Sequence, residues 1–468
     1  MKDLSYVNIP ELFESIDKHT SFKEDIVVWL GLRASDYNSI SFLYPDAIAS
    51  TRYGKDSINI EKKYKLVSTE KNTKVRTDSD IEELAPYVNE LFKSFDNNET
   101  YLVCYHSSRF LENLVKNYPN VHILNSPAYL KSLLDKKRYV RKQLQSRDVR
   151  IIPGIEGIIS ADNLDDVAKK FKFPFFVQFD NSASGSGSYK VNNSSDFNDL
   201  IHNYKNTKAT FMKFIEGKSL NINAVQTNNF TILGEPSLQI IGAPELTSRQ
   251  FGYCGNDFNI SSKISEEELK QIFDITYKVG KWIGELGYRG MFGVDFISNG
   301  EEVYFTEINP RFQGSTSLLI DRQNELGKIP LSFFHLVPFL DGLTIEPNLV
   351  RDYNEDQSPL NVSQLLLHNT SGRDLILDYS INPGRYLFED DNLIYQGPAQ
   401  YLSDTKSYDE ILIAGDVPVH GTRVLRDSDE ICRIYTYKEV LDKDGKTLNN
   451  FAKKLINKIN QSFKYKSQ

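Results

Sequence analysis

The sequence predicts an α/β protein, α+β in part, assembled from three units, and three observations predict it. Strand-like and helix-like segments alternate through the first quarter of the chain. A Gly/Ser-rich run separates two apolar strands near the middle. Beyond it, a hairpin carries two acidic residues 12 positions apart, at Asp295 and Glu307. A chain of 468 residues exceeds what one ordinary core accommodates, so two or three packed units are expected.

In the first unit, 1–125, DIVVWLGL (25–32) and TYLVCYH (100–106) are short apolar runs bounded by polar segments, the pattern of buried parallel strands. Between them Ile81, Leu84, Val88, Leu91 and Phe92 recur at helical spacing after Ser79, a candidate cap. The second unit, 126–345, opens with a helix over 127–147 and contains a subdomain over about 150–208. It continues through strands FPFFVQF (173–179) and TFMKFIEG (210–217). A helix over 266–286 follows, with Leu269, Ile272, Phe273, Tyr277 and Ile283 as its stripe. The unit closes on strands MFGVDFIS and VYFTEIN, joined by a turn at NGEE (299–302). The third unit, 346–468, begins with the linker-like EDQ (355–357). It holds strands NVSQLLLH, RYLFED and DEILIAG, and ends in a Lys-rich amphipathic helix.

Composition narrows the function classes. Hydrophobic residues make up 40% and charged residues 25%, as in folded domains, and the net charge of −8 excludes a general polyanion binder. No apolar run reaches the roughly 20 residues a membrane helix requires. The first residues lack the apolar core of a secretory signal. Cys104, Cys254 and Cys432 lie far apart without metal spacing and are expected to be reduced, which suits a cytoplasmic protein. No nucleic-acid or membrane partner is expected.

The hairpin carries the chemistry. Antiparallel pairing brings Asp295 and Glu307 together, and period-two alternation puts Asn309 and Arg311 on the face of Glu307. Two carboxylates and an amide oxygen suit Mg²⁺, and a guanidinium beside them can hold a transferring phosphoryl group. Unpaired carboxylates are costly to bury between Val294, Phe296, Phe305 and Ile308, so a metal role outweighs a solvated-edge role.

The spacing D-x11-E-x-N-x-R resembles the metal hairpin of the ATP-grasp superfamily, in which the carboxylates and the Asn hold Mg²⁺ on ATP. The resemblance implies an ATP-grasp fold preceded by a pre-ATP-grasp α/β domain and followed by a smaller capping domain of the biotin carboxylase type. It implies a metal set Asp295, Glu307 and Asn309, with Arg311 in contact with substrate or intermediate. Upstream, Asp135-Lys136 is similar to the helix-borne D-K pair whose Lys touches phosphates. The run around Ser184, Gly185, Ser186 and Gly187 is similar to the Gly-rich lid, where small residues let backbone N–H groups approach phosphate. Gln178 departs from the family's phosphate lysine, so that charge comes from elsewhere or affinity is lower. The stretch 210–225 resembles the adenine hinge, with Met212, Lys213 and Ile215 around the base. Either Glu216 or Ser219 takes the ribose.

The substrate cavity is expected along 234–263, with Gln239, Arg249, Tyr253 and Lys263. Arg249 or Arg289 is the candidate carboxylate clamp, Arg289 also having a catalytic role. The resemblance implies an ADP-forming carboxylate–amine ligase acting through an acyl-phosphate, with ATP and Mg²⁺ as cofactors. It is similar to stand-alone peptide and amino-acid ligases of bacterial natural-product pathways. Small amino acids or peptides, free or on a carrier protein, would be its partners, and a homodimer its assembly. A biotin carboxylase reading is the enzymatic rival, a phosphotransferase a third, and a non-catalytic nucleotide-binding protein the alternative from another class.

Overall fold

The computed structural model describes residues 25–76, 81–95, 97–179, 187–340, 345–426 and 430–466. Ser79 and three of the four lid candidates, Ser184, Gly185 and Ser186, lie outside these residues.

The first two apolar runs form parallel strands, β1 (Ile26–Gly31) and, after β2 (Ala47–Ser50), β3 (Lys65–Ser68) and β4 (Val75–Arg76), strand β5 (Thr100–Cys104); β6 (Val121–Ile123) follows. β1 pairs with β2 on one side and β5 on the other, giving the order β3-β2-β1-β5-β6. Val28, Leu30, Leu102 and Cys104 pack under the helix Ala85–Lys93, whose Val88, Leu91 and Phe92 are the predicted apolar stripe. The strand order reverses direction at β1/β5. The chain leaves the carboxyl ends of both strands there, at Leu32-Arg33 and Tyr105-His106, which is where open α/β sheets present ligand groups.

The predicted helix 127–147 is two helices, Ala128–Leu134 and Lys137–Gln145, broken at Asp135-Lys136, where Lys136 leaves helical geometry with ψ 87°. Apolar residues end at Leu134 and resume at Val140, so each half buries its own short stripe: Leu130 and Leu134, then Val140 and Leu144. A small antiparallel sheet follows, built from β7 (Gly154–Ile158), β8 (Phe175–Phe179), β9 (Ser188–Val191) and β10 (Lys208–Lys213) in the order β7-β10-β8-β9. Its core of Phe175, Val177, Phe197 and Phe211 is its own.

The centre is a ten-stranded sheet. It takes β11 (Lys218–Gln226), β12 (Thr231–Ile241), β13 (Tyr253–Asp257), β14 (Gly290–Ser298) and β15 (Val303–Asn309) from the second unit. From the third come β16 (Ser363–His368) and, past β17 (Leu375–Tyr379), β18 (Gly384–Glu389), β19 (Asn392–Gly397) and β20 (Glu410–Ala414); past β21 (Arg423–Val424) comes β22 (Glu430–Thr436). The order β15-β14-β11-β12-β13-β16-β22-β20-β18-β19 makes the third unit's strands a continuation of the central sheet, joined where β13 pairs with β16.

Alternation divides β11 cleanly. Leu220, Ile222 and Ala224 pack against the helix Glu266–Glu285, whereas Asn221 and Asn223 face the other way, beside Asp295 and Ser315. That long helix is fixed by a capping box between Ser265 and Glu268. Tyr277, predicted within its stripe, is instead exposed, because the buried face runs through Ile272, Ile275, Val279 and Ile283. The three cysteines are free and buried. Among the described residues no helix is long and apolar enough to cross a membrane.

The first and third units meet at a buried acidic pair. Asp56 accepts from the backbone N–H groups of Asp416 (2.6 Å) and Val417 (2.8 Å). Gly54 packs so closely there that a Cβ would lie 2.2 Å from the Asp416 carbonyl carbon. Burial, together with Asp56, pushes the Asp416 carboxyl up to about 7. A carboxyl with a raised folded-state pKa binds more protons folded than unfolded between its two pKa values, so stability falls as pH climbs from about 4 to about 7. Asp416→Asn keeps the left-handed backbone (φ 61°), which Asn tolerates. Chemical denaturation at pH 5 and pH 7.5 should find the variant stabler than wild type at the higher pH by about 1–2 kcal/mol, with the fall largely gone. An undiminished fall would place the proton uptake elsewhere.

Candidate active site

A cavity of about 530 Å³ opens where the carboxyl ends of β1 and β5, the polar face of the central sheet and the start of β9 converge. On its hairpin side Asp295 and Glu307 sit directly opposite in the β14–β15 register, as do Gly293 and Asn309. A register shift immediately beyond Asp295 locally disrupts the ladder. Asp295 is held by amides on three sides: Asn221 Nδ2 at 2.6 Å and Gln239 Nε2 at 3.2 Å on Oδ1, and Asn309 Nδ2 at 3.0 Å on Oδ2. Burial and the neighbouring Glu307 charge push the Asp295 carboxyl up to about 6, against the lowering effect of Asn221 and Asn309. Gly293 leaves the room this network needs, since a Cβ would meet the Gln313 amide at 2.0 Å.

Glu307 pairs with Lys137 (Oε2–Nζ 2.8 Å). One helical turn on, Arg141 donates to the Gln178 side-chain oxygen. These two cations lie four residues apart on one helix and so share a face. The guanidinium of Arg141 therefore stands at the strand position where Gln178 lacks a charge. Lys131 and Lys137 line the cavity, whereas the expected Lys136 is exposed and does not. The helix break explains the difference, because Lys136 caps the second helix and Lys137 begins its inward face. Arg311 donates to the Tyr105 hydroxyl and to Asn309 Oδ1, both at 2.9 Å, and lies over the Tyr105 ring.

Of the substrate candidates, Gln239, Arg249 and Tyr253 line the cavity. Lys263 does not; it is buried in an ion pair with Glu439 (3.0 Å) and donates to the Asn259 carbonyl (2.8 Å), bracing the third unit. Arg289 also turns away, bonded to Asn228 and to the Gly284 and Tyr288 carbonyls at the end of the long helix. The hinge candidates stand apart from the cavity. Met212 is buried in β10, the Lys213 N–H is taken by the Pro153 carbonyl, Ile215 is buried in the connection to β11, Glu216 pairs with Lys446 and Ser219 lies in β11 opposite Ile297. Gly187 is buried and its carbonyl accepts from the Phe179 N–H.

Sequence reasoning missed Arg33, Tyr105, His106, Gln313 and Arg433, all of which line the cavity. Arg33 directly follows the first predicted strand and His106 ends the second, so the strand-end rule was the available signal. Arg433 gave only the weak sign of a charge inside the apolar run EICRIY.

Among the described residues no group of three or more His, Cys, Asp or Glu side chains could hold a metal. The hairpin instead offers two carboxylates and an amide. That set fits Mg²⁺, which takes its remaining ligands from water and phosphate oxygens.

An α/β sheet, a small four-stranded sheet and a central antiparallel sheet meeting at a carboxylate hairpin define an ATP-grasp architecture. Residues 172–315 match the ATP-grasp domain family. The match places an ATP-grasp domain within the chain. The chain is similar to the formate-dependent phosphoribosylglycinamide formyltransferase of Prochlorococcus marinus, at 30% identity over 172 residues, covering 35% of this chain and 40% of the relative. It is similar also to a D-alanine–D-alanine ligase of Petrotoga mobilis, at 26% identity over 144 residues, covering 30% and 47%. The chain thus spans less than half the length of each of these two relatives. Solved structures share the fold over nearly the whole chain. The biotin carboxylase domain of Hydrogenobacter thermophilus 2-oxoglutarate carboxylase, bound to MgADP and bicarbonate, has a TM-score of 0.58 at 12% identity, covering 94% of this chain and 90% of that one. The Staphylococcus aureus N5-carboxyaminoimidazole synthetase bound to ADP has a TM-score of 0.55 at 12% identity, covering 95% and 99%.

Proposed function

We propose that the protein is an ATP-dependent carboxylate–amine ligase. It transfers the γ-phosphoryl group of ATP to a small-molecule carboxylate and passes the resulting acyl-phosphate to an amine, releasing ADP and phosphate. The observation that carries this reading is the convergence of Asp295, Glu307 and Asn309 with Arg311 at the edge of one cavity.

Magnesium held by the two carboxylates and the amide would draw charge from the phosphate oxygens. The chain's own groups supply the rest. Lys137 and Arg141 offer fixed positive charge along one helix face, compensating the neutral Gln178. Arg311, clamped by Tyr105 and Asn309, holds a planar fork toward the space where an acyl-phosphate would form. Asn221 and Gln239 keep Asp295 turned into the cavity without adding charge.

Product analysis tests the reading. Incubation with Mg-ATP and paired amino acids or short peptides should release ADP and phosphate with an amide product, whereas AMP and pyrophosphate would refute acyl-phosphate chemistry. Lys137→Met should weaken nucleotide binding about 10- to 100-fold, the value of a charge-assisted hydrogen bond. Titration of Mg-ADP by calorimetry measures this, and unchanged affinity would leave Lys137 as a partner of Glu307 alone. A non-catalytic nucleotide binder would bind Mg-ADP yet show no substrate-dependent phosphate release.

A further inference from the structure

Behind the hairpin the cavity floor is a buried cluster of charged side chains. Arg33 forks onto Glu430 (Nε–Oε1 3.0 Å, Nη2–Oε2 2.7 Å) and reaches Asp36 with Nη1 at 2.9 Å. Arg433 donates its Nε to the same Glu430 (2.8 Å), and Arg52 approaches it at 3.4 Å. Three guanidinium groups thus converge on Glu430. Burial alone would raise the Glu430 carboxyl, but Arg33, Arg433 and Arg52 hold it well below the usual carboxylate range, so it stays ionised. Arg433 is fully buried, spends Nη1 on the Gly314 carbonyl (2.9 Å), and lines the cavity. Tyr435 lies alongside, yet Arg433 Nη2 finds no acceptor in hydrogen-bonding geometry among the described residues.

A buried guanidinium with an unmet N–H is costly unless something answers it. The strand carrying Arg433 is fixed by β16 on one side and β20 on the other, so the guanidinium cannot turn out to water. Gly314 also ties the cluster to the hairpin. Its neighbour Gln313 accepts from Asn221, which donates to Asp295. One cavity therefore has a metal-carboxylate end and a guanidinium end.

We propose that Arg433 binds an anionic group of the substrate, a carboxylate or a phosphate monoester, at the end of the cavity away from the hairpin. Arg33 acts as a positioning residue, because it fixes Glu430 and through it the Arg433 Nε. The inference rests on the ligase reading for the identity of the ligand as a substrate. It predicts that the molecule carries a fixed negative charge apart from the carboxylate that is phosphorylated.

The test uses the full chain without nucleotide, titrated with succinate and with inorganic phosphate at constant ionic strength in potassium chloride, followed by calorimetry and thermal unfolding. At least one probe should bind saturably, one per chain, and raise Tm above the chloride control. Preference for succinate assigns a carboxylate, and preference for phosphate assigns a phosphate monoester. Leu366 is the cross-strand partner of Arg433 and lines the cavity, so Leu366→Asp places a carboxylate where the anion would sit. It should bind the preferred probe about 10-fold or more weakly, the loss of one charge-assisted contact. Arg433→Lys, which keeps the charge but not the fork, should also weaken binding if the first variant does not fold. Chloride-like behaviour of both probes, or unchanged affinity in the variants that fold, overturns the proposal. Mg-ADP binding is measured in parallel. Anion binding without any Mg-ADP binding would refute the ligase reading and leave the anion site standing.

Discussion

Glu307→Gln should lower turnover by about 10²- to 10⁴-fold, equivalent to several kcal/mol of lost charge stabilisation at the phosphoryl group. The change is nearly isosteric, and the side chain is one-third exposed, so its ion pair with Lys137 contributes little to stability. Tm should therefore move little, separating a chemical defect from an unfolding one. The amide can still accept one hydrogen bond, but it removes the second negative charge that keeps Asp295 protonation-prone. The Asp295 carboxyl should consequently titrate lower in the variant. Two measurements decide the matter: substrate-dependent phosphate release at saturating Mg-ATP, and its dependence on magnesium concentration. Near-normal turnover with unchanged magnesium dependence would show that the wrong carboxylates have been assigned.

The sequence made some of this site visible and hid the rest for identifiable reasons. The Asp295–Glu307 pairing followed from turn position and alternation alone, because a short hairpin leaves little freedom of register. The strands 25–32 and 100–106 were legible as apolar runs, and the long helix from its periodicity and capping box. The break at Asp135-Lys136 was not, because charged residues on either side read as one continuous solvated face. That break turns Lys137, not Lys136, into the cavity beside Glu307. Lys263 and Arg289 show the opposite limit. Their residue type suited an anion, but side-chain direction is settled by distant partners, Glu439 for one and Asn228 for the other, which no local pattern encodes. Arg33 and Arg433 come together from positions 400 residues apart (433 − 33), through the pairing of the first and third units around Glu430. Contacts of that separation are invisible to periodicity.

Arg311→Lys is the substitution expected to divide nucleotide chemistry from ligation. Arg311 spends Nη2 on Asn309 and Nη1 on Tyr105 and the Phe312 carbonyl, with its plane over the Tyr105 ring. A lysine keeps the charge but cannot make that fork and stacks less well on an aromatic face. Burial disfavours the charged form, while Tyr105, Glu307 and Asp295 more than restore it, so Arg311 is raised and remains charged at every working pH. A lysine in the same burial would lose part of that margin. In the proposed mechanism Arg311 meets charge that develops as the phosphoryl group moves, so amide formation should fall about 10²- to 10³-fold. Mg-ADP affinity should stay within about threefold of wild type, since Lys137 and Arg141, the proposed nucleotide cations, are untouched. Phosphate release that outlasts amide formation would mean that the acyl-phosphate still forms but is poorly held and reaches water. Equal losses in nucleotide affinity and turnover would instead place Arg311 on the ATP itself, and the space before Tyr105 would then belong to the nucleotide and not to the acyl group.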